Sequence, residues 1–237
     1  MKAFVLCGGE GTRLRPYTYT TPKPMLPIGG KPILQYVIEN LRRGGLKDFV
    51  LTSGYLAGKI EEYFGDGAEL GVKIEHAKET EKLNTAGSVL PHKSKVKGTF
   101  VVAMGDHITN IDVKKMLESH KKSGAVASIA LLRKKIPLQF GIAQTDEAGF
   151  VTGFQEKPLI EYLYNVAIYV FEPEIFNYIN EKDDFARDVF PRILKNGGKI
   201  NSFIFDGVWF DIGQVSEYER LNEEFETSQL LKDLHHK

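Results

Sequence analysis

Short apolar runs alternate with amphipathic stretches through the first half of the chain. KAFVL (residues 2–6) is apolar at successive positions, as a strand buried on both faces requires. In KPILQYVIENLRRGG, Ile33, Val37 and Leu41 recur at helical spacing beside Leu34 and Ile38, with Pro32 near the first turn and Gly44-Gly45 at the end. DFVLTS (48–53) predicts a second strand, AGKIEEYF (57–64) a short helix and VKIEH (72–76) a third strand. TFVVAM (99–104) is the most strand-like segment, followed by a helical pattern in IDVKKMLESHKKSG (111–124). Strands separated by helices imply crossover connections and a mostly parallel sheet.

From Ala125 the rhythm changes. AVASIALL (125–132), FGIAQT (140–145), FVTGFQEKP (150–158) and YLYNVAIYVF (162–171) are strand-like runs joined by polar turns such as DEAG. Helical pattern returns in DFARDVFPRILKNGG (184–198) and in SEYERLNEEFETSQLLKDL (216–234). The expected architecture is one α/β domain over residues 1–237. A Rossmann-like, mostly parallel sheet flanked by helices fills about 1–124, and antiparallel strands and a last helix are added over about 125–237. No internal repeat is visible, and no appended domain is expected after the last helix.

Composition narrows the function classes. Lys plus Arg equals Asp plus Glu at 31 each, which argues against coating nucleic acid or an anionic membrane, since both need surplus positive charge. The single cysteine, Cys7, rules out an intrachain disulfide and a Cys-rich zinc site, and it suits a reducing interior. No apolar stretch approaches the roughly 20 residues that span a bilayer, and MKAFVLCGGEGTR is a poor signal peptide. The expected location is cytoplasmic.

Candidate chemistry concentrates in CGGEGTRLRPYTYTTPKPMLPIGGKP (7–32), where five glycines and a run of prolines surround Arg13, Arg15 and Lys23. A dinucleotide fingerprint fails because Leu14 stands where its third glycine belongs, and a Walker loop fails because Pro32 follows Lys31. A surface turn after a strand and a loop for a polyphosphate both remain. In the second reading, glycines let successive N–H groups approach phosphate oxygens, while Arg13 supplies a planar fork of donors and Lys23 a compact charge. Pro22, Pro24 and Pro27 stiffen the segment before substrate arrives. Further on, Asp106 in TFVVAMGDH follows a strand's carboxyl end, where ligands bind in open α/β sheets.

The stretch GGEGTRLRPYTYTTPKPMLPIGGKP resembles the signature of the sugar-1-phosphate nucleotidyltransferases, Gly-Gly-x-Gly-Thr-Arg-Leu-x-Pro followed by Pro-Lys-Pro-Met-Leu-Pro, and the resemblance runs over roughly residues 2 to 226. It implies a GT-A-like fold and transfer of a nucleotide from an NTP to a hexose 1-phosphate, with pyrophosphate released. It implies nucleotide contacts from Leu6, Gly8, Gly9, Gly11, Thr12 and Arg13, with Arg13, Lys23 and Asp106 catalytic. Asp106 and Asp211, the latter in the family's Trp-x-Asp-Ile-Gly pattern (Trp209, Asp211, Ile212, Gly213), are implied to hold Mg2+. Magnesium prefers oxygen ligands and takes one or two carboxylates beside phosphates and waters.

The sugar site is implied at Glu156 and Lys157 in FQEKP, at Asn165 in YNVAIYVF and at Gly141. Ala167 stands where the family's Asn-x-Gly-Ile-Tyr has glycine. Asn84, Thr85 and Gly87 in LNTAG resemble the family's Leu-Gly-Thr-Ala-Gly near the nucleobase, and asparagine suits a left-handed backbone there. The Thr-Ala-Gly form is most like mannose-1-phosphate guanylyltransferases, so GTP and mannose 1-phosphate are the expected substrates. Glucose-1-phosphate thymidylyl- or uridylyltransfer is the alternative. A glycosyltransferase is a rival, although MGDHI lacks its Asp-x-Asp, and so is a non-catalytic regulatory homologue, although the charged positions are all present. A homo-oligomer is one expectation, with the apolar positions of the last helix packing on the domain or on a second copy, and assembly through the β-helical extension of some relatives is not expected.

Overall fold

In the computed structural model, which describes residues 1–227, the run Lys2–Leu6 is β1, an inner strand of a seven-stranded sheet. The first half continues with two short strands, β2 (Pro27–Ile28) and β3 (Lys31–Pro32), then helix α1 (Ile33–Arg43) and strand β4 (Asp48–Ser53). Next come α2 (Ala57–Phe64), β5 (Lys73–Lys78), the single turn α3 (Asn84–Gly87), β6 (Phe100–Met104), β7 (His107–Thr109) and α4 (Val113–Ser123). The second half holds β8 (Ala127–Pro137), β9 (Ile142–Thr145), β10 (Val151–Gln155), β11 (Leu159–Phe171), α5 (Phe190–Lys195), β12 (Ile200–Phe205), β13 (Trp209–Asp211) and α6 (Val215–Thr227). Residues 228–234 of the expected last helix lie outside the described residues.

The sheet order is β12-β8-β11-β6-β1-β4-β5. Four neighbouring pairs are parallel, and only β11 runs against its neighbours β6 and β8. The second half therefore extends the same sheet, and its small β9–β10 pair stands apart from it. Two apolar layers follow from the alternation of β1. Ala3 and Val5 join α1 and α4 residues such as Ile38, Leu41 and Met116 on one face, while Phe4 and Leu6 join Phe100, Phe171, Phe185 and Phe190 on the other. Asp112 caps α4 by accepting from the Lys115 N–H at 2.9 Å.

A third cluster holds the opening loop. Leu14, Leu26, Ile28, Ile33 and Tyr36 pack with Ile108, Ile212 and three residues of α6, Tyr218, Leu221 and Phe225. Among the described residues, these apolar positions of the last helix pack on its own domain. The Tyr218 hydroxyl donates to the Pro27 carbonyl at 2.9 Å, and Tyr17 donates to Glu219 at 2.9 Å. Gly29 has φ +54°, and a Cβ there would lie 2.0 Å from the Phe225 ring. Gly29→Ala is therefore expected to destabilise the fold by about 3 kcal/mol, from left-handed strain plus a displaced aromatic, as read by urea denaturation. Among the described residues no helix is long and apolar enough to cross a membrane.

Candidate active site

The chain leaves β1 through Cys7 and Gly8-Gly9 and turns back in single 3-10 turns at Thr12–Leu14, Tyr17–Tyr19 and Lys23–Met25. The positive φ of Gly9 (+106°) and Gly11 (+60°) shapes this loop, and the Thr18 hydroxyl closes it on the Gly11 carbonyl at 2.8 Å. Two adjoining cavities result. The larger, about 770 Å³, is lined by Leu6, the glycines, Thr12, Tyr55, Glu79, Asn84, Thr85 and Asp184. The smaller, about 260 Å³, shares Leu6, Gly8, Gly9, Gly11 and Thr12 and adds Arg13, Lys23 and Asp106.

The two acids converge through a short β-ladder that no sequence spacing announces. Strand β7 pairs antiparallel with β13, which sets Asp211 opposite His107, the neighbour of Asp106. Lys23 Nζ then bridges the carboxylates, 2.5 Å from Asp106 Oδ2 and 3.5 Å from Asp211 Oδ1. His107 Nε2 lies 3.4 Å from Asp211 Oδ1 and 3.7 Å from Asp106 Oδ1. The hydrogen bond from His107, with the charges of His107 and Lys23, lowers the Asp211 pKa to about 2 against the opposing effect of burial. For His107, burial disfavours the charged ring, but the bond to Asp211 and the charge of Asp106 outweigh it and raise the pKa.

One ligand atom each from Asp106, His107 and Asp211 lies within 4.8 Å of the others. Asp106 Oδ1 is buried with no hydrogen-bond partner, His107 Nε2 standing off at 3.7 Å, and the lysine ammonium already occupies a cation's place between the acids. Two carboxylates, an orphaned oxygen and a stand-in cation fit a divalent ion. The position of Asp106 depends on Gly105, where a Cβ would meet Cys7 Sγ at 2.7 Å and the Leu6 carbonyl at 3.1 Å. Cys7 itself is a packing residue. Burial first, then the charges of Asp106 and Glu79, push its pKa well above the usual thiol range, away from the thiolate that chemistry would need.

Asn84 and Thr85 reach the larger cavity, but they also tie the loop to residues 182–185. Asn84 has φ +58° and donates to the Lys182 carbonyl at 2.7 Å. The Thr85 hydroxyl donates to Asp184 at 2.9 Å and accepts from the Phe185 N–H, and Ala86 and Gly87 both donate to the Asp183 carbonyl. Gly87 is buried and does not line the cavity. The residues expected at the sugar, Gly141, Glu156, Lys157 and Asn165, are exposed and line neither cavity. Gly141 does lie against Glu156, whose Oε2 would be 2.7 Å from an added Cβ.

Ala167, at φ +55°, occupies an irregularity in the β8–β11 pairing, where its N–H donates to Asn165 Oδ1 at 2.9 Å. That backbone explains the glycine of the resembling motif. Ala167→Gly is expected to raise stability by about 0.5 kcal/mol, strain relief of about 1–2 outweighing glycine's unfolded-state entropy of up to about 1. A melting temperature higher by about 1–2 °C checks it. Sequence reasoning gave no role to His107, Tyr55, Glu79 or Asp184. For His107 the adjacency to Asp106 was the available signal; the other three lie on segments without a motif of their own.

Residues 2–228 match the family model described as nucleotidyl transferase. The chain is 35% identical over 240 residues to a UTP–glucose-1-phosphate uridylyltransferase of Synechocystis, covering 92% of this chain and 61% of that protein. It is 34% identical to a mannose-1-phosphate guanylyltransferase of Mycobacterium tuberculosis, covering 92% and 62%. The chain thus spans about three-fifths of the length of these curated relatives. Among solved structures it is similar to HddC from Yersinia pseudotuberculosis, with a TM-score of 0.75, 27% identity and coverage of 94% of this chain and 99% of that one. The same protein complexed with GMP-PN gives a TM-score of 0.74 at 25% identity, with coverage of 94% and 99%.

Proposed function

The chain belongs to the nucleotidyl transferase family, and from that premise we propose that it joins a nucleoside triphosphate to a hexose 1-phosphate, yielding an NDP-sugar and pyrophosphate. The observation that carries this reading is the meeting of the glycine-lined cavities with Arg13, Lys23, Asp106 and Asp211 at one end. Base and ribose enter the larger cavity and the phosphates extend into the smaller, where the loop N–H groups receive them.

The reaction needs no protein base. The sugar phosphate is largely dianionic at neutral pH, its second pKa being about 6, and its oxygen attacks the α-phosphorus. A new P–O bond forms there, the bond between the α-phosphorus and its β-bridging oxygen breaks, and pyrophosphate departs with the electron pair. The obstacle is repulsion between two polyanions, so the protein's work is in-line positioning and neutralisation. Arg13 meets the departing pyrophosphate. Lys23 leaves the carboxylates to lie against the α-phosphate and the sugar phosphate. Asp106 and Asp211 hold a divalent ion, Mg2+ by its preference for oxygen, which when bound screens charge on the phosphates. Glu156 and Asn165 accept from or donate to sugar hydroxyls, and Lys157 neutralises the sugar's phosphate.

The leading substrates are GTP and mannose 1-phosphate, with glucose 1-phosphate and UTP or dTTP as the second reading. The near-equal identities to a guanylyl- and a uridylyltransferase favour both pairs over others. Five NTPs tested against glucose, mannose, galactose and N-acetylglucosamine 1-phosphates, scored by pyrophosphate release, are expected to give one dominant pair. Silence across the panel with Mg2+ present would overturn the reading.

A further inference from the structure

The ring of His107 is placed with more care than a lining residue needs. Its backbone is fixed by the β7–β13 ladder opposite Asp211, and its side chain is only 13% exposed. The Trp209 indole backs it edge-on, with ring centroids 5.4 Å apart at 90°. Nδ1 faces the Val166 carbonyl at 3.4 Å, and Nε2 faces both carboxylates. If Nε2 exchanges the proton it directs at Asp211 for an ion, the proton on Nδ1, directed at the Val166 carbonyl, keeps the ring facing the acids, the arrangement by which a histidine is oriented toward a metal.

An ion-pair role alone explains this poorly, because Lys23 already bridges both acids. We propose that His107 is the third protein ligand of the divalent ion, through Nε2, and that the site therefore binds Mn2+ or Co2+ more tightly than Mg2+. This rests on the reading that Asp106 and Asp211 hold that ion. Magnesium is a hard ion that favours oxygen, whereas imidazole suits first-row transition ions, so one nitrogen donor among two carboxylates biases selection without excluding Mg2+.

The test uses the whole chain with Mn2+, Co2+ and Mg2+ salts alone. Electron spin-echo measurements on the Mn2+-loaded parent should show modulation from a directly bound ¹⁴N, and His107→Gln should abolish it. By calorimetry, His107→Gln should weaken Mn2+ and Co2+ by about tenfold or more and shift Mg2+ by less than about threefold. Absence of nitrogen coupling in the parent overturns the proposal, whether or not the variant folds. So does coupling that persists in His107→Gln, or equal losses for all three ions. Asp211→Asn separates the two levels: if it leaves Mn2+ affinity unchanged, the reading of the acid pair fails, whereas loss there with no nitrogen signal removes His107 alone.

Discussion

Replacing Asp106 by asparagine is expected to lower kcat/KM for nucleotidyl transfer by about a hundredfold or more, on the order of 3 kcal/mol in the barrier. Asparagine keeps the shape of the side chain and removes the charge, so the change isolates electrostatics from packing. The oxygen at stake is unusual: Asp106 Oδ1 is buried without a hydrogen bond, while Oδ2 carries the contact to Lys23. Removing the charge also removes repulsion between the two acids, and Lys23 retains Asp211 at 3.5 Å. The fold should therefore survive, with unchanged circular dichroism and a melting temperature within a few degrees of the parent. Pyrophosphate release at saturating divalent ion decides the matter, and a folded variant turning over at the parent rate would remove Asp106 from the chemistry.

Arg13→Ala should lose a similar factor, about a hundredfold, and should lose it mainly in kcat. Arg13 sits in the Thr12–Leu14 turn, is exposed, and lines the smaller cavity beside Gly213. An exposed side chain on the cavity wall contributes little to stability, so the melting temperature should not move. If the guanidinium stabilises charge that grows on the departing pyrophosphate, its removal costs the transition state more than the bound NTP. Arg13→Lys should recover only part of the loss, since a point charge replaces a planar fork. An effect confined to KM for the NTP would reassign Arg13 to ground-state binding.

Much of the scaffold could be read from the sequence, and the reasons are local. Lys2–Leu6, Ile33–Arg43, Asp48–Ser53 and Ala57–Phe64 form as the apolar pattern predicts, because each buries a face whose period is written in its own residues. The strand expected to end at Leu132 instead runs to Pro137 through Arg133, Lys134 and Lys135. There it leaves the core, and a strand wet on both faces carries no alternation. The helical pattern at 184–198 opens with a π-turn, Phe185–Val189, capped by Asp184, before α5 begins with Pro191 near its start.

The site was half readable. The signature loop declared its cations, but the ladder that brings Asp211 beside Asp106 is tertiary, set by β7 and β13 far apart in sequence. The same holds for Asn84 and Thr85, whose side chains are engaged by residues 182–185. Their place in the motif pointed to a nucleobase; their hydrogen bonds also make them the anchor that holds one wall of the larger cavity in place.

The reversed strand in mid-sheet has a consequence for how this chain leaves the ribosome. Five strands of the sheet, β1, β4, β5, β6 and β8, precede β11 in the chain, and β11 is the partner that completes β6 and joins β8 to it. Until then Phe100–Met104 offers unpaired amides along an apolar ribbon, which is the template on which nascent chains stick to one another. Translation arrested near residue 150 should hold the polypeptide in that state and recruit holdase chaperones, and release past Phe171 should end the need for them. Chaperone demand in such a molecule is set by the order in which its edges are covered during synthesis.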